Sequence, residues 1–287
     1  MTASLIRVAR SAGPPAAVSM LAVGAWYAVS HLVLEPRRRF LLPPPEAVVR
    51  VGFADPDNRV ELFSALALSA RVALLGLVIA TVVGVATGVL MSQARWLEHS
   101  LFPYAVLLQT VPVLAMVPLF GFWFGFGMTS RVLVCVLIAV FPITANTLFG
   151  LRSAEPGHHD LFTLHGAGRL TRLGKLQVPA ALPALFTGLR VSAGLSVIGA
   201  IVGDYFFRQG QPGIGRLIDV YQSRLESERM VAAVVLASLF GIAVFALFTW
   251  LGRRVAGWHE SAQDHPARIP GTSQTRPAGP AGRPLSE

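Results

Sequence analysis

Residues 160–183 read DLFTLHGAGRLTRLGKLQVPAALP, a polar and basic stretch set between hydrophobic runs. It begins with Asp160, has a glycine at Gly166, and ends on Leu176-Gln177-Val178-Pro179. Most of the remaining chain can be explained by residence in a lipid bilayer, which selects long apolar runs. A bilayer does not explain a basic segment of this length, so this stretch is the most informative about both fold and function.

The composition of the chain is that of a membrane protein. Hydrophobic residues make up 53% of the 287 residues and charged residues only 14%, whereas a soluble domain has about 25% charged residues. The net charge of +9 would suggest nucleic acid in a soluble protein. In a membrane protein it is better explained by arginines beside anionic lipid headgroups, so we expect a lipid partner and no nucleic acid. The single Cys135 excludes a disulfide framework and a cysteine-based metal site.

Six runs free of Asp, Glu, Lys and Arg predict six transmembrane helices. They are continuous rather than alternating, which excludes barrel strands, and inside lipid only helices then satisfy the backbone. The third run is expected to be the least regular because it contains Pro103, Pro112 and Pro118. The first run is too long for a signal-peptide core, so we interpret it as a retained span. The runs are residues 16–34, 72–91, 101–126, 132–151, 191–203 (extended back to about 182) and 230–251.

Two short helices joined by a glycine turn are predicted around Gly166-Ala167-Gly168, because two glycines permit a sharp chain reversal. After the turn, basic residues and leucines each recur every third position, which gives a basic and an apolar stripe on a helix. These residues are Arg169, Arg172 and Lys175, and Leu170, Leu173 and Leu176. The prolines of Val178-Pro179 and Leu182-Pro183 are expected to break this helix. A helix lying on the headgroups is one interpretation; the glycine turn favours a knob that inserts into a soluble partner.

The stretch resembles the EAA loop of ATP-binding-cassette (ABC) importer permeases, whose core reads E-A-A, three residues, G, nine residues, I-x-L-P. Residues 118–152, residues 166–194 and Leu42-Pro43-Pro44-Pro45 are similar to the nitrate/sulfonate/taurine-type permease family, so the resemblance covers roughly residues 41–258. It implies an all-α membrane protein with the type I importer fold. It also implies two permease subunits, separate ABC ATPase subunits and an extracytoplasmic substrate-binding protein.

Carried over position by position, the resemblance places Asp160 at the family's Glu, Gly166 at its Gly and Pro179 at its Pro. Leu161 and Phe162 depart from the paired alanines, which puts the choice of ATPase partner in doubt. The residues expected to couple this chain to the ATPase are Asp160, Leu164, Gly166, Ala167, Gly168, Arg169, Leu170, Arg172 and Pro179.

The family resemblance also fixes the expected organisation. Residues 1–15 would form a cytoplasmic N-terminus and residues 16–259 the transmembrane permease domain, with the coupling loop at about 152–181. Residues 260–287, rich in Pro, Gly and Ser, would form a disordered cytoplasmic tail. Loop charges alone give only a small bias toward this orientation; an ATPase-facing loop requires it. The expected location is the bacterial inner membrane.

The chain has no recognisable nucleotide, metal or catalytic site. The segment from Gly168 has five residues between its glycines where a P-loop has four, and no Ser or Thr follows its lysine. ATP and Mg²⁺ are therefore expected on the partner ATPase, with no cofactor in this chain. We interpret His158, His159, Asp160 and His165 as solvated loop residues, because no second ligand cluster accompanies them. No Ser/His/Asp set or carboxylate pair indicates an enzyme.

A few small and polar residues stand out within the spans. Gly84 and Gly88 form a G-x-x-x-G pair, which packs helices together either inside one subunit or across a dimer seam. The candidates for the transport pathway or its gate are Gln109, Asn146 and Asp204. Asp204 is expected at the outer edge of the fifth span, either as an interfacial anchor or as an outer-gate residue.

The sequence thus predicts the membrane subunit of an ABC importer, working by alternating access beside a second, identical copy. A secondary transporter driven by an ion gradient is the alternative, and would need intramembrane acids or broken helices in paired halves. A membrane enzyme would need convergent nucleophiles or metal ligands. The family resemblance suggests nitrate, sulfonates, taurine or bicarbonate as substrate, and some relatives carry pyrimidine precursors or riboflavin. The aromatic segment 203–208, which has no anion cradle, keeps the heterocycles open.

Overall fold

The computed structural model describes residues 17–263, with side chains as far as Val255, and the regular structure in this range is entirely helical. The predicted N-terminus and residues 264–287 of the predicted tail lie outside the described residues. The α-helices are α1 (Ala17–Val33), α2 (Pro45–Val48), α3 (Pro56–Gln93), α4 (Arg95–Thr110), α5 (Val113–Phe124), α6 (Met128–Leu151), α7 (Pro156–Leu164), α8 (Arg169–Phe206), α9 (Ile214–Ser223) and α10 (Ser227–Gln263). Short 3₁₀ and π-helical turns at Pro36–Leu41 and Val49–Ala54 flank α2.

All six predicted apolar runs are helical. Within the described range, four helices (α3, α6, α8 and α10) are each long and apolar enough to span a membrane, and the bent pair α4–α5 makes a fifth if it is one span. The helix α1 is shorter. The predicted six spans thus correspond to four or five long helices and α1. The last helix runs to Gln263, so the predicted disordered tail does not begin at residue 260.

The helix α3 is much longer than the apolar run that predicted it. It begins at Pro56 and spans 38 residues, because the Asp55 side chain accepts a hydrogen bond from the N–H of Asp57 (3.0 Å) and caps the helix well before the apolar run. At 1.5 Å per residue the helix is about 57 Å long and exceeds the roughly 30 Å hydrocarbon core. Its first turns therefore project beyond the membrane.

The third predicted run is broken in two. The helix α4 ends at Thr110, and α5 begins after Pro112 at an angle of 98°. Pro112 has no N–H to continue the α4 ladder, so the break falls there. Pro103 and Pro118 lie inside the two helices. As predicted, glycine ends the segment, since Gly125 follows Phe124 with φ +82°.

Small residues bring α3, α6 and α8 into close contact. A Cβ added to Gly84 or Gly88 would lie 2.9 Å from the Ile143 side chain or 2.7 Å from that of Thr147, both on α6. Gly199 on α8 is packed in the same way, because a Cβ added to it would lie 2.9 Å from the Cα of Cys135 on α6. The G-x-x-x-G pair therefore packs within the subunit rather than at a dimer seam.

A second core forms at the end of the helices that lies away from the loop of residues 160–183. Buried residues of α2, α3, α9 and α10 meet there, among them Leu62, Ile214 and Ala232. Tyr221 on α9 donates a hydrogen bond to Glu61 on α3 (2.8 Å). Burial, followed by the neighbouring Glu61 carboxylate, raises the pKa of Tyr221, so its hydroxyl stays protonated as the donor.

Candidate functional site

The predicted glycine turn is present and is built by a helix C-cap. The helix α7 ends at Leu164, and Gly166 follows with φ +64°. The N–H of Ala167 donates to the carbonyl of Phe162 (2.9 Å) and that of Gly166 to Thr163 (3.0 Å), which is the pair of bonds of a Schellman motif. A Cβ on Gly166 would meet nothing within 4 Å. The glycine is therefore required by its backbone angle and not by a close backbone approach.

The second arm of the loop continues without a stop into a long membrane helix. The sequence predicted that Pro179 and Pro183 would end this arm, but α8 runs from Arg169 to Phe206, so that expectation is wrong. A π-helical turn over Leu173–Gln177 precedes Pro179. Pro179 thus lies in the first turn of the α-helical segment Val178–Phe206, where a missing N–H is tolerated.

The tip of this helix–turn–helix, which we call the knob (residues 156–177), exposes apolar side chains. Leu164 and Leu170 are 84% and 83% exposed on either side of the turn, and Leu161 is 49% exposed. Arg169 and Lys175 are exposed as well. Large apolar residues at the end of a protruding loop, rimmed by charges, are typical of a protein-docking surface.

One loop residue, Arg172, differs in environment from what the stripe pattern predicted. Arg172 is half-buried, and its guanidinium donates to the hydroxyl of Thr163 across the turn (3.1 Å), so it joins the two arms and is not part of an exposed basic stripe. Asp160 is exposed in the middle of α7, and its carboxylate makes no hydrogen bond or ion pair within the described residues. Ala167 is half-buried and Gly168 exposed at the start of α8.

The knob is anchored at its base to the membrane helices. Ser153, just after α6, donates to the carbonyl of Gly150 (2.8 Å) and approaches that of Ala180 (3.4 Å). A Cβ on Gly150 would lie 2.9 Å from the Cα of Ala181, so the two roots of the loop are in direct contact. Arg152 forms a two-pronged ion pair with Glu98 of α4.

At the opposite end of the same helices, Asp204 is completely buried. Arg131 on α6, 2% exposed, lies 3.1 Å from its carboxylate, and Ser69 on α3 donates a hydrogen bond to the other carboxylate oxygen. Asp204 lies two residues before α8 ends at Phe206, and its carboxylate is buried in an ion pair; its role as an interfacial anchor or an outer-gate residue stays a prediction. Its apolar sequence context required a buried partner, and sequence reasoning missed Arg131 as that partner.

Arg131 also holds the loop between α8 and α9, which we call the outer loop (residues 207–213). Its guanidinium donates to the carbonyls of Phe207 (2.7 Å), Gln209 (2.9 Å) and Gln211 (3.2 Å). Ser69 accepts a hydrogen bond from the N–H of Ile214 (2.8 Å). Side-chain hydrogen bonds thus hold the outer loop at three of its carbonyls and at the N–H of Ile214, the residue that follows it.

The other two pathway candidates differ from each other. Gln109 lies at the end of α4 and is exposed in the subunit. Asn146 is half-buried and donates to the carbonyl of Pro142 in its own helix (2.8 Å). The structure does not bring Gln109, Asn146 and Asp204 together.

Comparison with known proteins gives consistent matches. Residues 62–257 match the family described as "Binding-protein-dependent transport system inner membrane component". The formylaminopyrimidine transport permease protein ThiX of Halalkalibacterium halodurans is 32% identical, over 82% of this chain and 91% of that protein. The taurine transport system permease protein TauC of Escherichia coli is 29% identical, over 83% and 86%. A crystal structure of an amino acid ABC transporter with histidines has a TM-score of 0.55 and 18% identity, covering 69% of this chain and 95% of that one, and so shares the fold.

Proposed function

The chain belongs to the family of binding-protein-dependent transport system inner membrane components, and from that membership we propose how it works. It is an ABC importer permease, and two identical copies form the pathway for a small solute delivered by a binding protein. Both copies are embedded in membrane lipid. Separate ATPase subunits bind ATP and Mg²⁺ and drive the cycle, so this chain does not hydrolyse ATP.

The observation that supports this proposal is the knob. Leu164 and Leu170 are almost fully exposed apolar side chains on a capped turn, and the exposed carboxylate of Asp160, one helical turn before Leu164, makes no ion pair with any residue that the structure describes. Exposed leucines of this kind gain free energy when a partner covers them. A groove on the ATPase is the partner surface that the family implies for the knob, and Asp160, Leu161 and Gly166, at positions that correspond to its EAA loop, are exposed.

Mechanical coupling follows from how the knob is attached. Its two arms continue directly from α6 and into α8, and Ser153 joins them at the base. When the ATPases close, the two knobs of the dimer are drawn together. Because packed helices move as rigid bodies, that motion is carried into the membrane and opens the pathway to the opposite side.

The orientation follows from the same docking. The knob faces the cytoplasm, and the outer loop at the other end of α8 faces the binding protein outside. With an even number of crossings, both chain termini are cytoplasmic. The ion-gradient alternative is disfavoured, since the described residues contain one bent helix pair and not two in paired halves.

The proposal is tested at Gly166. Gly166→Val places a β-branched residue at φ +64°, a conformation that costs such residues well over the roughly 1–2 kcal/mol typical of a left-handed residue. We expect normal membrane abundance, loss of co-purification with the ATPase, and uptake near background. Gly174→Val is the matched control, because Gly174 lies in the same knob with open space around it and no positive φ. Full association and uptake in the Gly166 variant would refute the knob as the coupling element.

A further inference from the structure

The break between α4 and α5 leaves polar backbone exposed at membrane depth. Val113 and Met116, which follow the break, pack in the cluster that contains Leu137 and Ile138, and these two residues lie near the middle of α6. The ring of Phe102 on α4 lies 6.5 Å from that of Phe141. The break is therefore at the depth of the apolar part of α6 and not at either end of it.

Several backbone groups at the break have no partner within the described residues. The N–H groups of Val113 and Leu114 find no acceptor, because the helix starts there without a side-chain cap. The carbonyls of Leu108, Gln109 and Thr110 find no donor, because Pro112 and the bend remove the next turn. Pro112 and Leu114 are exposed in the subunit. Irregular backbone of this kind does not face lipid; it occurs only inside protein or along a water-filled cavity.

Side chains at the break are polar but uncharged. Gln109 and Thr110 are exposed, and residues 100–130 contain no Asp, Glu, Lys or Arg. The helix α4 has no buried residue in the subunit, so this surface is free to line a space between two copies. The Gln109 amide offers a donor and an acceptor at one point, without the fixed charge that would hold an ion.

The two helix ends at the break have opposite partial charges. The carboxyl end of α4 carries about −0.5 of an elementary charge and the amino end of α5 about +0.5, and only Val111 and Pro112 separate them. An anion attracted to one end is repelled by the other. A neutral solute with a neighbouring donor and acceptor is satisfied by both.

We propose that the α4–α5 break, with Gln109 and Thr110, is the point in the pathway that contacts the solute, and that it selects an uncharged planar heterocycle with adjacent hydrogen-bond donor and acceptor groups over an inorganic anion or a sulfonate. This inference rests on the proposed importer function and adds the substrate class. The exposed backbone and the Gln109 amide supply weak, paired hydrogen bonds that a passing solute can exchange for water.

The location is tested by cysteine accessibility in the reconstituted complex of permease, ATPase and binding protein. In a Cys135→Ala background, Gln109→Cys should react with a water-soluble methanethiosulfonate reagent, since the thiolate forms only in contact with water. Leu21→Cys, on the exposed apolar face of α1, is the lipid-facing control. We expect Gln109→Cys to react at least about tenfold faster. Equal rates would overturn the assignment of the break to the pathway.

The substrate class is tested by ATP-driven uptake of two probes, formylaminopyrimidine and methanesulfonate, a sulfonate anion with no balancing ammonium group. We expect uptake of formylaminopyrimidine only, and Gln109→Leu should reduce it about five- to tenfold, as for one lost hydrogen bond, while ATPase association is unchanged. Gln222→Leu, on the exposed face of α9, is the control. Uptake of methanesulfonate, no uptake of formylaminopyrimidine, or an unaffected Gln109 variant would each overturn the proposal. If Gly166→Val abolishes transport while Gln109→Leu does not, the site fails and the importer function stands.

Discussion

Removing the guanidinium of Arg131 should release the outer loop. Arg131→Met keeps a long apolar side chain in the same space but leaves the carboxylate of Asp204, 0% exposed, without its cation. The substitution also removes the donor to the carbonyls of Phe207 and Gln209. Ser69 remains as the one side chain that donates to Asp204.

The size of the effect follows from burial. Two unit charges 3.1 Å apart attract by about 5 kcal/mol at an effective dielectric constant of about 20. Much of that attraction offsets the desolvation of both groups, but removing one partner of a buried pair costs roughly 3–5 kcal/mol, because the other charge is left unpaired. If the free energy needed to open the outer loop locally falls by this amount, the fraction of molecules with the loop open rises by about two to three and a half orders of magnitude.

Hydrogen exchange measures that opening directly. The N–H of Ile214, which donates to Ser69, reports whether the network is closed. By mass spectrometry of the purified complex we expect peptides covering residues 207–214 to exchange at least about 100-fold faster in Arg131→Met. Arg208→Met is the control, because Arg208 lies in the same loop but its pair with Asp219 is 61% exposed on the arginine side. An exposed pair contributes about 0–1 kcal/mol, so the control should change exchange less than about fivefold.

A double variant separates the ion pair from general disruption. Arg131→Met combined with Asp204→Leu removes both buried charges, so its exchange should be closer to wild type than the sum of the two single effects predicts. Strictly additive effects would show that the two residues act independently. Exchange within about fivefold of wild type in Arg131→Met would refute the argument that this pair holds the outer loop.

Three further predictions concern the same two ends of the molecule. Gly213→Ala should destabilise the complex by about 1–3 kcal/mol, because a Cβ on Gly213 would lie 2.0 Å from an Asp204 carboxylate oxygen. Thermal melts in detergent, with Gly174→Ala as the control, measure this loss, and unchanged melting would contradict the prediction. Arg172→Ala and Thr163→Val should each weaken ATPase binding by about 0.5–1.5 kcal/mol, since each removes the bond across the turn; Thr163→Val also removes the bond that Thr163 donates to the carbonyl of His159. Unchanged binding of Arg172→Ala in titration with purified ATPase would exclude this role of the bond. A cysteine at His165 with Cys135→Ala should resist an impermeant maleimide in intact cells and react in inverted vesicles, and the reverse pattern would invert the proposed orientation.

Features encoded locally could be predicted from the sequence. The turn at Gly166 was predicted because the two glycines of Gly166-Ala167-Gly168 permit a sharp chain reversal, and in the structure Gly166 has a positive φ. The helical runs and the packing role of Gly84 and Gly88 were predicted for the same reason, since each depends on residues within a few turns of one helix. An irregular third span was expected from its three prolines, but neither the position of the break at Pro112 nor its 98° angle was predicted.

Features that depend on distant pairing could not be predicted. Arg131 and Asp204 are 73 positions apart, and no local pattern distinguishes Arg131 from the other arginines at helix ends. Arg172 fitted the basic stripe by spacing, but the turn places Thr163 beside it and draws it inward. Pro179 matched a helix-breaking pattern, but a π-helical turn precedes it and the helix continues through it.

The helices that carry the knob also carry the outer network. The helix α6 contains Arg131 near its start and ends at Leu151, at the root of the knob. The helix α8 begins at Arg169 in the knob and contains Asp204 near its other end. Glycines allow the two helices to pack closely along the length of their contact. A Cβ added to Gly150, Gly188, Gly199 or Gly203 would lie between 2.8 and 3.1 Å from an atom of the facing helix. A pair packed this closely has no room to bend or slide without losing contacts at several levels. A displacement applied to the knob therefore reaches Arg131 and Asp204 together, and the outer loop that Arg131 holds moves with them.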